Sequence, residues 1–142
     1  MRARLGHLGI IVRRYPAAAA FYRRLGLVVG GREAFPRENV RIAFISVGDV
    51  RIELLEPLAP TGPLVRFLGK RGEGIHHLAF EVPDLDEGLA RAQAAGLRPI
   101  DASPRRGAGG TRVAFLHPDA AHGVLIELVE ASQEQLSDDH PA

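Results

Sequence analysis

Four side chains that can bind a metal stand at matched places in this chain, inside segments that are otherwise apolar. His7 and His77 each lie near the start of a strand-like run, and Glu53 and Glu127 lie within later runs of the same kind. A carboxylate without a partner is costly to bury, and a bound cation would offset that cost. Two imidazole nitrogens and two carboxylate oxygens suit a divalent ion such as Co²⁺, Mn²⁺, Zn²⁺, Ni²⁺ or Fe²⁺. These residue types predict a metal centre; the alternative is glutamates facing water at strand edges and histidines supporting turns.

Such a centre favours chemistry beside a carbonyl group. A metal that keeps open positions for substrate oxygens acts as a Lewis acid and stabilises a developing enolate. Proton abstraction next to a carbonyl is therefore the reaction that this arrangement suits. A non-haem iron oxygenase needs only three protein ligands, so the fourth, Glu53, makes that class less natural.

The composition limits the compartment and the partners. At 142 residues and 46% hydrophobic content, the chain can form one domain or two small fused halves with a proper core. A formal net charge of +1 argues against nucleic acid or an anionic membrane as a partner. There is no cysteine, which removes disulfides, thiolate zinc sites and thiol nucleophiles. The apolar run at 8–12 is short and two arginines follow it, so we expect neither a signal peptide nor a membrane span, but a cytoplasmic protein.

The elements that must position these residues form the same pattern twice. Strands at 5–12, from 27, at 40–47 and at 51–56, with a helix at 17–25, make a first βαβββ module. Strands at 75–82, 97–100, 111–116 and 123–130, with a helix at 83–95, make a second. The predicted fold class is α+β, with tandem βαβββ modules. The predicted organisation is 1–56 for the first module, 57–74 for a linker with a short helical turn near 64–68, 75–131 for the second module and 132–142 for a loose tail.

The repeat is also visible residue by residue, and it selects one of two adjacent histidines. Gly6-His7-Leu8 matches His76-His77-Leu78, so His77 is the mate of His7. Side chains alternate along a strand, so His76 faces the other way and is assigned a structural role. Two like halves related by a pseudo-twofold axis would bring both histidines and both glutamates to one centre. The other matches are Arg41-Ile-Ala-Phe-Ile45 with Arg112-Val-Ala-Phe-Leu116, and Arg51-Ile-Glu53-Leu-Leu-Glu56 with Leu125-Ile-Glu127-Leu-Val-Glu130.

Several segments together resemble the methylmalonyl-CoA epimerase family of the vicinal-oxygen-chelate superfamily, which includes glyoxalases and bleomycin-resistance proteins. The resemblance covers residues 5–130 and rests on 7–12, 21–27, 47–57, 70–82, 107–110, 115–118 and 123–128, among them Phe21-Tyr-Arg-Arg-Leu-Gly-Leu27 and Phe115-Leu-His-Pro118. It implies paired βαβββ modules forming a cleft around a divalent metal, whose ligands fall on His7, Glu53, His77 and Glu127. It also implies interconversion of (R)- and (S)-methylmalonyl-CoA through a metal-stabilised enolate, and a homodimer.

The resemblance makes Glu127 the candidate base. Epimerisation also needs a proton donor on the opposite face of C2, and the place where some family members carry a glutamate is Ile42 here. We therefore assign Glu53, the repeat mate of Glu127, as the second acid or base, with Glu38 as a weaker option.

The glycine-rich loop at 105–110 is a candidate contact for the acyl-CoA substrate. Backbone N–H groups and cationic side chains there, from Arg106, Gly107 and Gly109, could bind a carboxylate or phosphate; a polar loop without a ligand is the alternative. Asp119 stands where relatives often have lysine, which puts a phosphate contact there in doubt. Three further histidines are assigned structural or surface places: His117 supports a turn, and His122 and His140 lie on the surface.

Two other functions use the same fold. A glyoxalase-type lyase acting on a thiol conjugate would use the same four ligands, and an assay of each substrate separates it from an epimerase. A small-molecule binding or resistance module would lack the metal ligands, so the presence of both histidines and both glutamates counts against it.

Overall fold

The computed structural model describes residues 2–101, 103–107 and 110–131. The chain divides into two compact units: the first unit is residues 7–76, and the second unit combines residues 1–6 with the residues from 77 onward. The module boundaries at 56 and 75 stay a prediction, because the units follow compactness whereas the modules follow the repeat. In chain order the elements are β1 (Arg4–Ile11), α1 (Tyr15–Arg24), β2 (Val29–Phe35), β3 (Val40–Val47), β4 (Val50–Pro57), α2 (Pro63–Arg71), β5 (Gly74–Val82), α3 (Leu85–Ala94), β6 (Arg105–Arg106), β7 (Arg112–Leu116) and β8 (Leu125–Glu130).

In the first unit, the strands lie side by side in the order β2-β3-β4-β1. β1 and β4 run parallel, whereas β3 is antiparallel to both β2 and β4. Gly48 in the β3–β4 turn has φ 59°, a left-handed conformation that glycine adopts without steric cost. α1 packs on one face of the sheet, over a core of Val12, Ala43, Ile45 and Leu54.

In the second unit, the strands lie in the order β5-β8-β7-β6. β5 and β8 run parallel, and β7 is antiparallel to both β8 and β6. α3 packs on one face, and the core there consists of Val82, Leu85, Leu89, Ala114 and Leu128. Each unit thus joins its first strand, in parallel, to its last. The predicted α+β class with tandem βαβββ modules is confirmed.

Two local predictions need correction. The strand predicted at 97–100 is wrong: this segment has an isolated bridge from Pro99 to Leu116, and β6 lies at Arg105–Arg106, within the predicted loop. That bridge is held by two backbone hydrogen bonds, from Ile100 N–H to the Phe115 carbonyl at 2.8 Å and from His117 N–H to the Arg98 carbonyl at 2.9 Å, and it does not extend into a ladder. α2 is a helix of 9 residues where a short turn was expected.

Among the described residues, no helix is long and apolar enough to cross a membrane. The predicted loose tail at 132–142, with His140, lies outside the described residues.

Candidate metal and active site

The first unit places a buried histidine beside a buried glutamate. His7 comes from β1 and Glu53 from β4, and His7 Nδ1 lies 3.5 Å from Glu53 Oε2. Only 7% of His7 and 4% of Glu53 is exposed. The parallel register sets Gly9 opposite Glu53, which leaves space beside the carboxylate because glycine has no side chain. Leu54 points into the core under α1, so Glu53 lies on the other face of the sheet.

The second unit repeats this arrangement. His77 on β5 and Glu127 on β8 are 6% and 8% exposed, and His77 Nε2 lies 3.2 Å from Glu127 Oε2. The small residue opposite Glu127 is Ala79, in the place that Gly9 takes in the first unit. Leu128 points into the core under α3, so Glu127 lies on the face away from that helix. The structure thus brings the four predicted ligands together as two equivalent pairs, one in each unit.

The donors of these pairs fit a divalent cation. Each pair offers one imidazole nitrogen and one carboxylate oxygen, the hard to borderline ligands that first-row divalent metals accept. All four side chains are buried, and a buried carboxylate needs a counter-charge. Within each pair the nitrogen and oxygen donors lie 3.5 and 3.2 Å apart in a buried setting, so the residues present fit a bound divalent cation.

Each glutamate also faces a phenylalanine across the antiparallel side of the sheet, a feature that sequence reasoning missed. Phe44 lies opposite Glu53, and Phe115 lies opposite Glu127, where its ring centroid is 6.2 Å from that of His77. An arginine covers each ring: Arg51 Cζ lies 5.2 Å from the Phe44 centroid, and Arg105 Cζ lies 4.9 Å from the Phe115 centroid. The phenylalanines could have been found, because they lie in the matched Arg-x-Ala-Phe segments. The arginines could not, because they come from unmatched positions.

A second pair of repeated glutamates has a different role. Glu56 accepts a hydrogen bond from the backbone N–H of Tyr15 at 2.8 Å, and Glu130 accepts one from Leu85 at 3.0 Å. Tyr15 and Leu85 are the first residues of α1 and α3, so each carboxylate caps a helix N-terminus, where negative charge is favourable. Each lies three positions after a candidate ligand and therefore on the opposite face of its strand. These glutamates hold the helices on the sheet.

An arginine supports the cap in the second unit. Arg112 donates to Glu130 at 3.1 Å and to Asp86 in the first turn of α3 at 2.9 Å. The hydrogen bond to Asp86, followed by the charges of Asp86 and Glu130, raises the pKa of the Arg112 guanidinium above its ordinary value. Arg112 therefore keeps its positive charge beside the cap. Its repeat mate, Arg41, lies 3.7 Å from Glu56 in the first unit.

The remaining candidates fall outside these pairs. Ile42 is buried with Val40 and Leu55, on the same face of the first sheet as Glu53, so an apolar side chain takes the place predicted for a family glutamate. Glu38 is exposed in a short 3-10 helix. Arg106 is exposed and Gly107 half buried beside Val113, whereas Gly109 lies outside the described residues.

Among the described residues, His76, His117 and His122 take the structural or surface places predicted for them. His76 makes an edge contact with Phe67, with ring centroids 4.9 Å apart. His117 Nδ1 accepts the N–H of Asp119 at 3.1 Å, which closes a turn, and His122 is exposed.

Comparison with known proteins identifies the family. Residues 6–115 match the family model of the glyoxalase/bleomycin resistance protein/dioxygenase superfamily. An ethylmalonyl-CoA/methylmalonyl-CoA epimerase from Cereibacter sphaeroides is 41% identical over 131 residues, which is 90% of this chain and 98% of that protein. The human mitochondrial methylmalonyl-CoA epimerase is 35% identical over 130 residues, covering 90% of this chain and 74% of that protein.

Solved structures agree with these relatives. The crystal structure of methylmalonyl-CoA epimerase from Mycobacterium tuberculosis is 36% identical with a TM-score of 0.83, over 94% of this chain and 91% of that one. This chain therefore belongs to the glyoxalase/bleomycin resistance protein/dioxygenase superfamily and, within it, to the methylmalonyl-CoA epimerase family.

Proposed function

We propose that this chain is a metal-dependent epimerase that interconverts (R)- and (S)-methylmalonyl-CoA by moving the proton at C2. The observation that carries the proposal is the repeated contact between a buried histidine and a buried glutamate, once in each unit. The relatives named as methylmalonyl-CoA epimerases supply the substrate class. A proton between a thioester and a carboxylate is acidic enough for a positioned carboxylate to remove, with general-base catalysis contributing roughly 10²- to 10⁴-fold.

His7, Glu53, His77 and Glu127 would hold the divalent ion. Their burial and their donor types support this assignment. A bound divalent ion supplies a Lewis acid, which stabilises the negative charge that develops on the substrate oxygens. Co²⁺, Mn²⁺, Zn²⁺ and Ni²⁺ all suit two nitrogen and two oxygen donors.

The two buried glutamates would move the protons. The Glu127 carboxylate takes the proton from C2, and the electron pair of that C–H bond moves into the thioester to form the enolate. Glu53 then takes up a proton from water and passes it to the other face of C2, while Glu127 releases its proton to water, so that both carboxylates are restored. Burial of Ile42 and exposure of Glu38 favour Glu53 for the second role. A Glu53→Gln protein that kept its metal and its full turnover would contradict this assignment.

The loop at 105–110 would meet the charged groups of the substrate. Arg106, Gly107 and Gly109 would contact the acyl-CoA, as cationic and backbone N–H groups suit its carboxylate or phosphates. The protein would act as a homodimer in the cytoplasm. Three large apolar side chains exposed in the first unit, Phe21, Leu25 and Ile75, support self-association. The chain has no cysteine and therefore needs no disulfide, which is compatible with a reducing compartment such as the cytoplasm.

Deuterium incorporation tests the function directly. Methylmalonyl-CoA is incubated in D₂O with the metal-loaded protein, and label at C2 is followed by mass spectrometry, with His77→Ala for comparison. We expect rapid exchange by the unmutated protein and exchange slowed by about 100-fold or more in the variant, as when a catalytic group is lost. No exchange by the unmutated protein would refute the epimerase, and turnover of a thiol conjugate instead would identify a glyoxalase-type lyase.

A further inference from the structure

We propose that Arg51 binds the free carboxylate of the acyl-CoA substrate and thereby sets which way round the substrate lies. The inference rests on the proposed function and deepens it. The internal repeat has no second arginine to match Arg51, because the equivalent position in the second unit is Leu125.

The strand register places Arg51 on the same face as the first His–Glu pair. β1 and β4 set Arg51 beside His7 in parallel register, and paired residues of parallel strands point to the same face. Glu53 follows two positions later and shares that face, and an Arg51 terminal nitrogen lies 3.5 Å from Glu53 Oε2. Yet 52% of the Arg51 side chain is exposed, against 5% for Glu53. Arg51 therefore links the buried pair to the region that a ligand can reach.

Phe44 holds the guanidinium in place. The Arg51 Cζ atom lies 5.2 Å from the centroid of the Phe44 ring, which faces Glu53 across the β3–β4 pair. An arginine resting on an aromatic ring loses less freedom when it binds a ligand, because the planar group is already oriented. Glu53 lies at one edge of the Arg51 guanidinium. The guanidinium has five N–H donors, so further donors can bind a second carboxylate. Two parallel N–H bonds to one carboxylate are the geometry that arginine prefers.

Charge balance calls for such a group. With both glutamates ionised, a divalent ion is neutralised by its own ligands, so it offers no net charge to an anionic substrate. The chain as a whole carries a formal charge of only +1, so the substrate carboxylate must be met by a local cation. Arg105, which covers the corresponding ring in the second unit, already lies 3.3 Å from Asp101. Arg51 lies 3.5 Å from Glu53, whose carboxylate would also hold the metal, so Arg51 would keep more of its charge for a ligand.

Orientation follows from the difference between the two units. Two equivalent His–Glu pairs cannot by themselves tell the thioester end of a malonyl group from the carboxylate end. An arginine beside one pair and a leucine beside the other can. Arg51 would thus draw the carboxylate end of the substrate toward the first pair, His7 and Glu53.

Binding preference is the sharpest test. Affinities for malonyl-CoA, which has the free carboxylate, and acetyl-CoA, which lacks it, are measured by calorimetry on Co²⁺-loaded protein. We expect Arg51→Gln to reduce the preference for malonyl-CoA by about 10- to 100-fold, the usual effect of losing a hydrogen bond to a charged group. Arg51→Lys should keep part of the preference. The control is Arg91→Gln, the same charge change at an exposed helix position.

The outcomes separate this inference from the proposed function. An unchanged preference in Arg51→Gln overturns the inference. A lost preference accompanied by loss of bound Co²⁺ also overturns it, because the arginine would then act through Glu53. C2 exchange by the unmutated protein, measured in parallel, tests the epimerase itself and does not depend on Arg51.

Discussion

The glutamates at 127 and 130 should have separable roles, although they lie three positions apart on one strand. Glu130 accepts the N–H of Leu85, the first residue of α3 and a fully buried side chain. Truncation by Glu130→Ala leaves that N–H without its carboxylate, which costs about 1 kcal/mol as for a lost N-cap. Removal of the negative charge from the helix N-terminus costs about 0.5–1 kcal/mol more. Arg112 is solvent-exposed, so water screens its ion pair with Glu130 and loss of that pair adds little to the cost.

The expected total of about 1.5–2 kcal/mol corresponds to a melting temperature lower by roughly 5 °C for a chain of this size. Thermal unfolding by circular dichroism measures it. C2 exchange per folded molecule at 25 °C should stay near that of the unmutated protein, because Glu130 points to the helix face. Glu127→Gln is the matched comparison, in which exchange should fall by about 100-fold or more. If Glu130→Ala instead abolished exchange and kept its melting temperature, the assignment of faces from strand alternation would be refuted.

Two further predictions concern the metal and the packing of β1. His77→Ala should weaken binding of Co²⁺ by more than about 100-fold, because removing a ligand costs more than removing a residue that only orients one. His76→Ala, at the adjacent position, should bind Co²⁺ normally in the same calorimetric titration. Gly6→Ala should destabilise the protein by about 1–3 kcal/mol in urea unfolding, because an added Cβ would lie 2.8 Å from the side chain of Glu81. Gly69→Ala, in an exposed helix position with nothing within 4 Å, should stabilise it by about 0.5–1 kcal/mol. Equal effects of both glycine substitutions would contradict the steric reason.

The repeat made much of the fold predictable. Strand alternation and helix periodicity are local properties, so β1, α1, the β3–β4 hairpin, α3 and β8 could be located from neighbouring residues. Prediction failed where local signals are weak. The run at 97–100 resembled a strand but is not one, whereas Arg105 and Arg106 form β6 although they lie in a polar, loop-like segment. A two-residue strand depends on its partner, β7, and leaves little trace in its own sequence.

The candidate site shows the same division. The amino-acid sequence alone shows which residue types are repeated at matched places, and hence that two histidines and two glutamates form equivalent sets. The contact of each histidine with the glutamate of its own unit, at 3.5 and 3.2 Å, is visible only in the folded chain. The same is true of the helix caps made by Glu56 and Glu130 and of the contact of Arg51 with Phe44 beside Glu53. These contacts depend on the register between strands far apart in the chain, and one residue of slip would turn every one of these side chains to the opposite face.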